Sequence, residues 1–151
     1  MILQRNIFLL MQTTEVKITK VVACVLKKKN FFLITSRPLK KTYSGFYEFP
    51  GGKVERNEFH LEALKRELLE ELSIKININK LIFLKSYPVI RRKKKLILNF
   101  FLLNSWNGII KPLENQEIRW IKLENIRDYK VLVSNKKIID LLGSLFLFPA
   151  T

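Results

Sequence analysis

Little in this chain of 151 residues can cross-link or ligate through sulfur or imidazole: it has one cysteine, Cys24, and one histidine, His60. A lone cysteine excludes an internal disulfide. Its place in the apolar run "VVACVL" marks it as a small buried hydrophobe, in keeping with a reducing, cytoplasmic setting. Without a His/Cys cluster, a zinc site and a Ser-His-Asp triad are both excluded, and His60 reads as a solvated first-turn residue. No apolar run approaches the roughly 20 residues that span a bilayer, so no membrane association is expected. Glycine and proline are scarce, five of each, yet Pro38, Gly45, Pro50, Gly51 and Gly52 fall in one stretch. Acids are scarce too: 13 Asp and Glu against 28 Lys and Arg, a net charge of +15. Because lysine abounds throughout, the excess says only that an anionic small ligand is attracted; stable nucleic-acid binding is not expected.

What is present suits one globular domain: 48% hydrophobic and 27% charged residues, with no internal repeat or low-complexity block. Residues 1–14 read as a poorly ordered N-terminal extension, with Met1 or Met11 as the start, and 15–151 as the domain. Strands are expected at 15–26 and 31–37 across the "KKKN" turn, and a short one near 47–49 inside a long loop. A helix at about 59–72 follows. Further strands near 80–87, 95–103 and 117–122 and a helix near 135–147 complete the pattern. Strands and helices mix without strict alternation, so the class is α/β (α+β), a mixed sheet with helices packed on it. The run "RRKKK" (91–95) reads as a solvated hairpin tip, and Phe100 and Phe101 as core.

The acids are not spread evenly. "FPGGKVERNEFHLEALKRELLEELSI" (49–74) gathers several on one helix. At about 100° per residue Leu61, Leu64, Leu68 and Leu72 share a face that must be packed. Glu67, Glu70 and Glu71 stand at i, i+3 and i+4 and project together from a neighbouring stripe, with Glu71 expected to face the surface. Two carboxylates about 4 Å apart repel by roughly 4 kcal/mol at an effective dielectric of 20, and by far less if solvated. Wet surface glutamates are one reading. A preceding Gly-Gly loop and all-oxygen ligands that suit Mg²⁺ or Mn²⁺ are the other.

These residues resemble the Nudix box, Gly-x5-Glu-x7-Arg-Glu-U-x-Glu-Glu-x-Gly-U with U a bulky aliphatic. Gly52, Glu58, Arg66, Glu67, Leu68, Glu70, Glu71 and Ile74 fall at the required positions. Ser73 stands where the box has its helix-ending glycine, at an expected cost of about 1 kcal/mol in stability and none in chemistry. "YEFPGGKVE" resembles the MutT branch, as do "WNG" (106–108), "ENQEIRW" (114–120) and "VLVSNKKII" (131–139), in the same order.

The resemblance implies a Nudix-type α/β/α sandwich and a Mg²⁺-dependent nucleoside triphosphate pyrophosphohydrolase, Mn²⁺ substituting, that acts on 8-oxo-dGTP or a related purine nucleotide. It implies a monomer or weak homodimer. Glu67, Glu70, Glu71 and the Gly51 carbonyl would bind metal, with Glu114 completing the set or activating water, or standing as a solvated loop acid. The catalytic set would be Glu67, Glu71 and Glu114, the general base lying between Glu67 and Glu114. Glu58 and Arg66 would tie the loop to the helix. Arg37 and Lys53 would contact phosphate, or be surface cations. Asn135 would read the purine edge, cap the last helix, or do both. Other substrates, such as ADP-ribose, a dinucleotide or an RNA 5′ end, and a non-catalytic module that binds damaged bases are alternatives. The intact box acids favour an enzyme.

Overall fold

The computed structural model describes residues 1–12 and 16–147. The strand expected from residue 15 therefore starts partly outside the described residues, as do 13–14 of the extension. Within the N-terminal extension, Ile2–Gln12 forms a helix, α1.

The domain is built on β1 (Lys17–Lys28), a 12-residue strand whose middle is buried on both faces. That is why "VVACVL" carries no polar alternation: a strand covered on two sides reads as a continuous apolar run. Val22, Cys24 and Leu26 point to one core and Ala23 and Val25 to another. Burial of Cys24 also raises its thiol pKa far above the usual range, so it is an inert packing group.

Around β1 the sheet is mixed. β2 (Phe31–Ser36) pairs with it antiparallel only at its end, then with β3 (Tyr47–Glu48) and β7 (Ile118–Lys122). The edge of β1 that β2 leaves free is taken by β4 (Gly51–Lys53), through Val21↔Lys53, Val22↔Gly52 and Ala23↔Gly51. On its other side β1 runs parallel to β6 (Lys94–Leu103), which forms a hairpin with β5 (Ile82–Arg91). The hairpin turns at Arg92 (φ 53°) and Lys93, and Arg92, Lys93 and Lys94 are exposed. The basic run is therefore the solvated hairpin tip expected, with Arg91, Lys94 and Lys95 paired as strand on either side of the turn.

One helix covers each face. α2 (His60–Leu72) lays Ala63, Leu64, Leu68 and Leu72 on the Val22/Cys24/Leu26 side, each fully buried. Each leucine so buried contributes roughly 1.5–3 kcal/mol. α3 (Lys136–Phe146) places Ile138 and Leu142 on the other side with Phe32, Phe100 and Ile121. Helix, sheet, helix is the expected sandwich. α2 ends at Ser73 in the left-handed conformation (φ 61°, ψ 28°), whose N–H donates to the Leu69 carbonyl while that of Ile74 reaches Leu68. The position does demand what glycine gives most cheaply, and serine adopts it at a cost.

Candidate active site

α2 and β4 meet where the acids lie. Gly51 and Gly52 run beside β1 so closely that a Cβ on Gly51 would overlap the Val22 carbonyl oxygen, and one on Gly52 the Glu67 carboxylate. Gly51 thus lets β4 lie against β1, and Gly52 lets that edge approach the helix.

The three helix acids do not share one environment. Glu71 is 7% exposed and accepts a hydrogen bond from the Gly51 N–H at 3.2 Å. This corrects the surface-facing expectation. Position 71 is i+7 from Leu64 and i+3 from Leu68, so it lies on the apolar stripe and is carried inward with it. Desolvation, then the charges of Glu67 and Glu114, push its carboxyl up to about 8. Glu67 is half-buried against Gly52; desolvation raises its pKa while Arg66 opposes the rise, its Nη1 lying 2.8 Å from Glu67 Oε1. Glu70 is mostly exposed and leans on the same guanidinium at 3.3 Å.

Arg66 fastens this end together. Its Nε and Nη2 reach Glu58 at 2.8 and 2.9 Å, and Nη2 also donates to the Lys53 carbonyl. The pairing holds the Glu58 carboxyl down at about 2. Glu58 and Arg66 therefore join the loop after β4 to α2.

Opposite, residues 113–116 are tied to the end of α2. Gln116 is buried; its side-chain amide donates to the Glu71 carbonyl (3.0 Å) and its Oε1 accepts from the Glu114 N–H (2.9 Å). Asn115 between them has φ 56°, a conformation asparagine tolerates. Sequence reasoning assigned Gln116 no role, though a polar residue inside the "ENQ" segment was the available signal. Glu114 itself is exposed, but its charge acts on Glu71.

Among the described residues no three acidic, histidine or cysteine side chains converge tightly enough to cage one ion. The donors are nonetheless oxygen only, and Glu71 is disfavoured as an anion by burial and by two like charges. A hard divalent cation relieves both penalties, so the residues fit such an ion without forming a preassembled cage.

From the Gly51–Gly52 edge a cleft of about 610 Å³ opens between the sheet and the loop 37–46. Gly51, Gly52 and Glu67 line one end. Arg37, Lys40, Lys41, Lys53 and Arg91 give it five cations, and Phe49, Leu98, Phe100 and Leu132 an apolar part, with Ser134 and Asn135 beside it. Asn135 is 5% exposed and its side chain makes no helix-capping bond, which leaves the amide to the cleft. Tyr87 fixes that segment by donating to the Ser134 carbonyl at 2.6 Å, and it stacks on Phe100 (5.6 Å, 18°). Glu70, Glu71 and Glu114 are not among the lining residues. Arg37 lines the cleft but is engaged, its Nη1 2.8 Å from Glu48 and its Nε donating to the Thr42 carbonyl. Arg91, expected as solvated tip, stacks over Tyr43 at 5.0 Å.

A family model described as NUDIX domain matches residues 17–142. The chain belongs to this family. Within it the chain falls in the MutT branch. It is 35% identical over 133 residues to an 8-oxo-dGTP diphosphatase of Buchnera aphidicola (subsp. Schizaphis graminum), covering 87% of this chain and 98% of that one. A CTP pyrophosphohydrolase of Escherichia coli is 27% identical, with 82% and 90% covered. Among solved structures, MutT from a study of the Aliivibrio salmonicida and Vibrio cholerae proteins superposes with a TM-score of 0.74 at 28% identity. It covers 86% of this chain and 100% of that one. This Nudix chain is thus a hydrolase of a class that acts on nucleotides with a divalent metal.

Proposed function

We propose that the cleft hydrolyses 8-oxo-dGTP, or a related purine nucleoside triphosphate, to the monophosphate and pyrophosphate. One observation carries this: a single cleft joins an acid-bearing Gly-Gly edge, a rim of cations, and an apolar pocket with an uncommitted amide. These match the metal-bound phosphates, the remaining phosphate charge and the base.

Glu67, Glu70 and Glu71, with the Gly51 carbonyl and Glu114, hold Mg²⁺, and Mn²⁺ substitutes. When bound there, such an ion would supply neutralisation of phosphate charge and activation of water at neutral pH. Glu67 or Glu114 takes the proton from the attacking water. Gln116 sets the Glu114 loop against the end of α2. Lys53 contacts phosphate, and Asn135 presents a donor and an acceptor to the purine edge. Burial of Glu71 beside Glu67 keeps the metal-free site reluctant to ionise, which couples metal binding to proton release. The substrate is a free nucleotide, met by the chain as a monomer or weak homodimer.

CTP is a second reading, supported by the similarity to the CTP enzyme. Mg²⁺-dependent hydrolysis of 8-oxo-dGTP, dGTP, dATP, CTP and ADP-ribose is the test. The highest kcat/KM is expected on 8-oxo-dGTP, with pyrophosphate released. Preference for ADP-ribose, or no metal-dependent turnover of any triphosphate, would refute the assignment.

A further inference from the structure

Arg37 is committed within the protein. It was expected to meet phosphate, but its guanidinium is occupied by Glu48 and the Thr42 carbonyl. Its backbone closes the same loop: the Arg37 N–H donates to Phe46, and its carbonyl accepts from Gly45. The loop 38–46 is further held where Arg91 stacks on Tyr43, and by a turn from Pro38 to Lys41. A segment pinned at both ends and at its middle presents its side chains in fixed directions.

Lys41 is carried on that loop. It lines the cleft with Gly52 and Glu67, yet among the described residues its ammonium makes no hydrogen bond or ion pair. A cation that lines the cleft with Glu48 and Glu67 and is bound to neither retains all three of its donors for an incoming anion.

We infer that Lys41 is a substrate-contacting residue: its ammonium, delivered by the 38–46 loop, hydrogen-bonds non-bridging oxygens of the polyphosphate beside Gly52 and Glu67. Arg37 is then a positioning residue for that loop. The assignment rests on the phosphate-hydrolysis reading but concerns a residue that the box pattern does not include.

The test compares wild type with Lys41→Ala, Lys41→Arg and Lys28→Ala, the last removing an exposed charge at the far end of β1. Metal-free binding of inorganic tripolyphosphate by calorimetry is read alongside KM and kcat. A charged hydrogen bond of this kind corresponds to a roughly tenfold change. Lys41→Ala is expected to bind tripolyphosphate ~10-fold more weakly and to raise KM by a similar factor with a smaller change in kcat. Lys41→Arg should recover most of the loss, and Lys28→Ala should stay within about twofold of wild type. Unchanged tripolyphosphate binding and KM in Lys41→Ala, in a wild type that hydrolyses triphosphates, would overturn the Lys41 assignment alone. A wild type that neither binds tripolyphosphate nor hydrolyses any nucleotide would overturn the hydrolase reading, and Lys41 with it.

Discussion

Glu71→Gln is expected to stabilise the metal-free protein while abolishing turnover. The carboxyl is pushed from its ordinary 4.5 up to about 8, first by burial and then by Glu67 and Glu114. Because the folded protein holds this proton more tightly than the unfolded chain, ionisation works against the fold. Its contribution to stability falls as pH rises from about 4.5 through about 8, and levels off above that. Each pH unit in the window corresponds to about 1.4 kcal/mol, which makes ~3.5 kcal/mol an upper bound at about pH 7. Water entry and the shared titration with Glu67 reduce this, so ~1–3 kcal/mol, or roughly 2–10 °C in Tm for a domain of this size, is the expected gain. Thermal melts of both proteins in chelator at about pH 5 and 7.5 read the difference and cancel the titrating groups that do not interact with Glu71. The gap between variant and wild type should open with pH, Mg²⁺ should raise the Tm of wild type only, and the variant should release no pyrophosphate. A wild type that gains stability over that range relative to the variant would refute the reasoning, for Glu71 would then be a comfortable anion without any cation.

Ser73→Gly relieves a left-handed serine at the end of α2 and should add about 1 kcal/mol in urea denaturation, with kcat unchanged. Gly52→Ala brings a Cβ onto the Glu67 carboxylate, the movable end of a side chain, so the fold should persist by circular dichroism. With Glu67 displaced, kcat should fall by ~100-fold. Arg66→Ala removes the bonds to Glu58, Glu67, Glu70 and the Lys53 carbonyl. A loss of about 2 kcal/mol, discounted for a guanidinium that is partly exposed, is expected in the same denaturation assay. Asn135→Ala should narrow the ratio of kcat/KM for 8-oxo-dGTP over dGTP, and an unchanged ratio would remove that amide from base recognition.

The parts legible in the sequence are those with a repeating physical signal. α2 announced itself through Leu61, Leu64, Leu68 and Leu72, and the left-handed conformation at Ser73 was implied by the resemblance to a box that has glycine there. The cores of β1 and β6 were visible as apolar runs, and Phe100 and Phe101 are buried as expected. β4 was not visible, because three residues with two glycines have no side-chain pattern; it exists because β1 offers an unpaired edge. The burial of Glu71 was readable in principle from its spacing to Leu64, but the charge of the residue masked its place on the stripe. Long-range contacts left no local trace. Arg91 on Tyr43, Arg37 on Glu48 and Gln116 on the Glu71 carbonyl join segments separated by up to 48 residues, by difference of their numbers. Lys41 looked like one more lysine in a lysine-rich chain until the fold placed it in the cleft.

The central claim is that Glu67, Glu70 and Glu71 hold a divalent cation against a nucleotide polyphosphate. A crystal grown with Mn²⁺ and a non-hydrolysable nucleoside triphosphate, read by anomalous scattering, addresses this most directly. Metal density is expected between these carboxylates and the Gly51 carbonyl, with phosphate oxygens on its open side. Metal and nucleotide bound elsewhere, with α2 contacting neither, would contradict it.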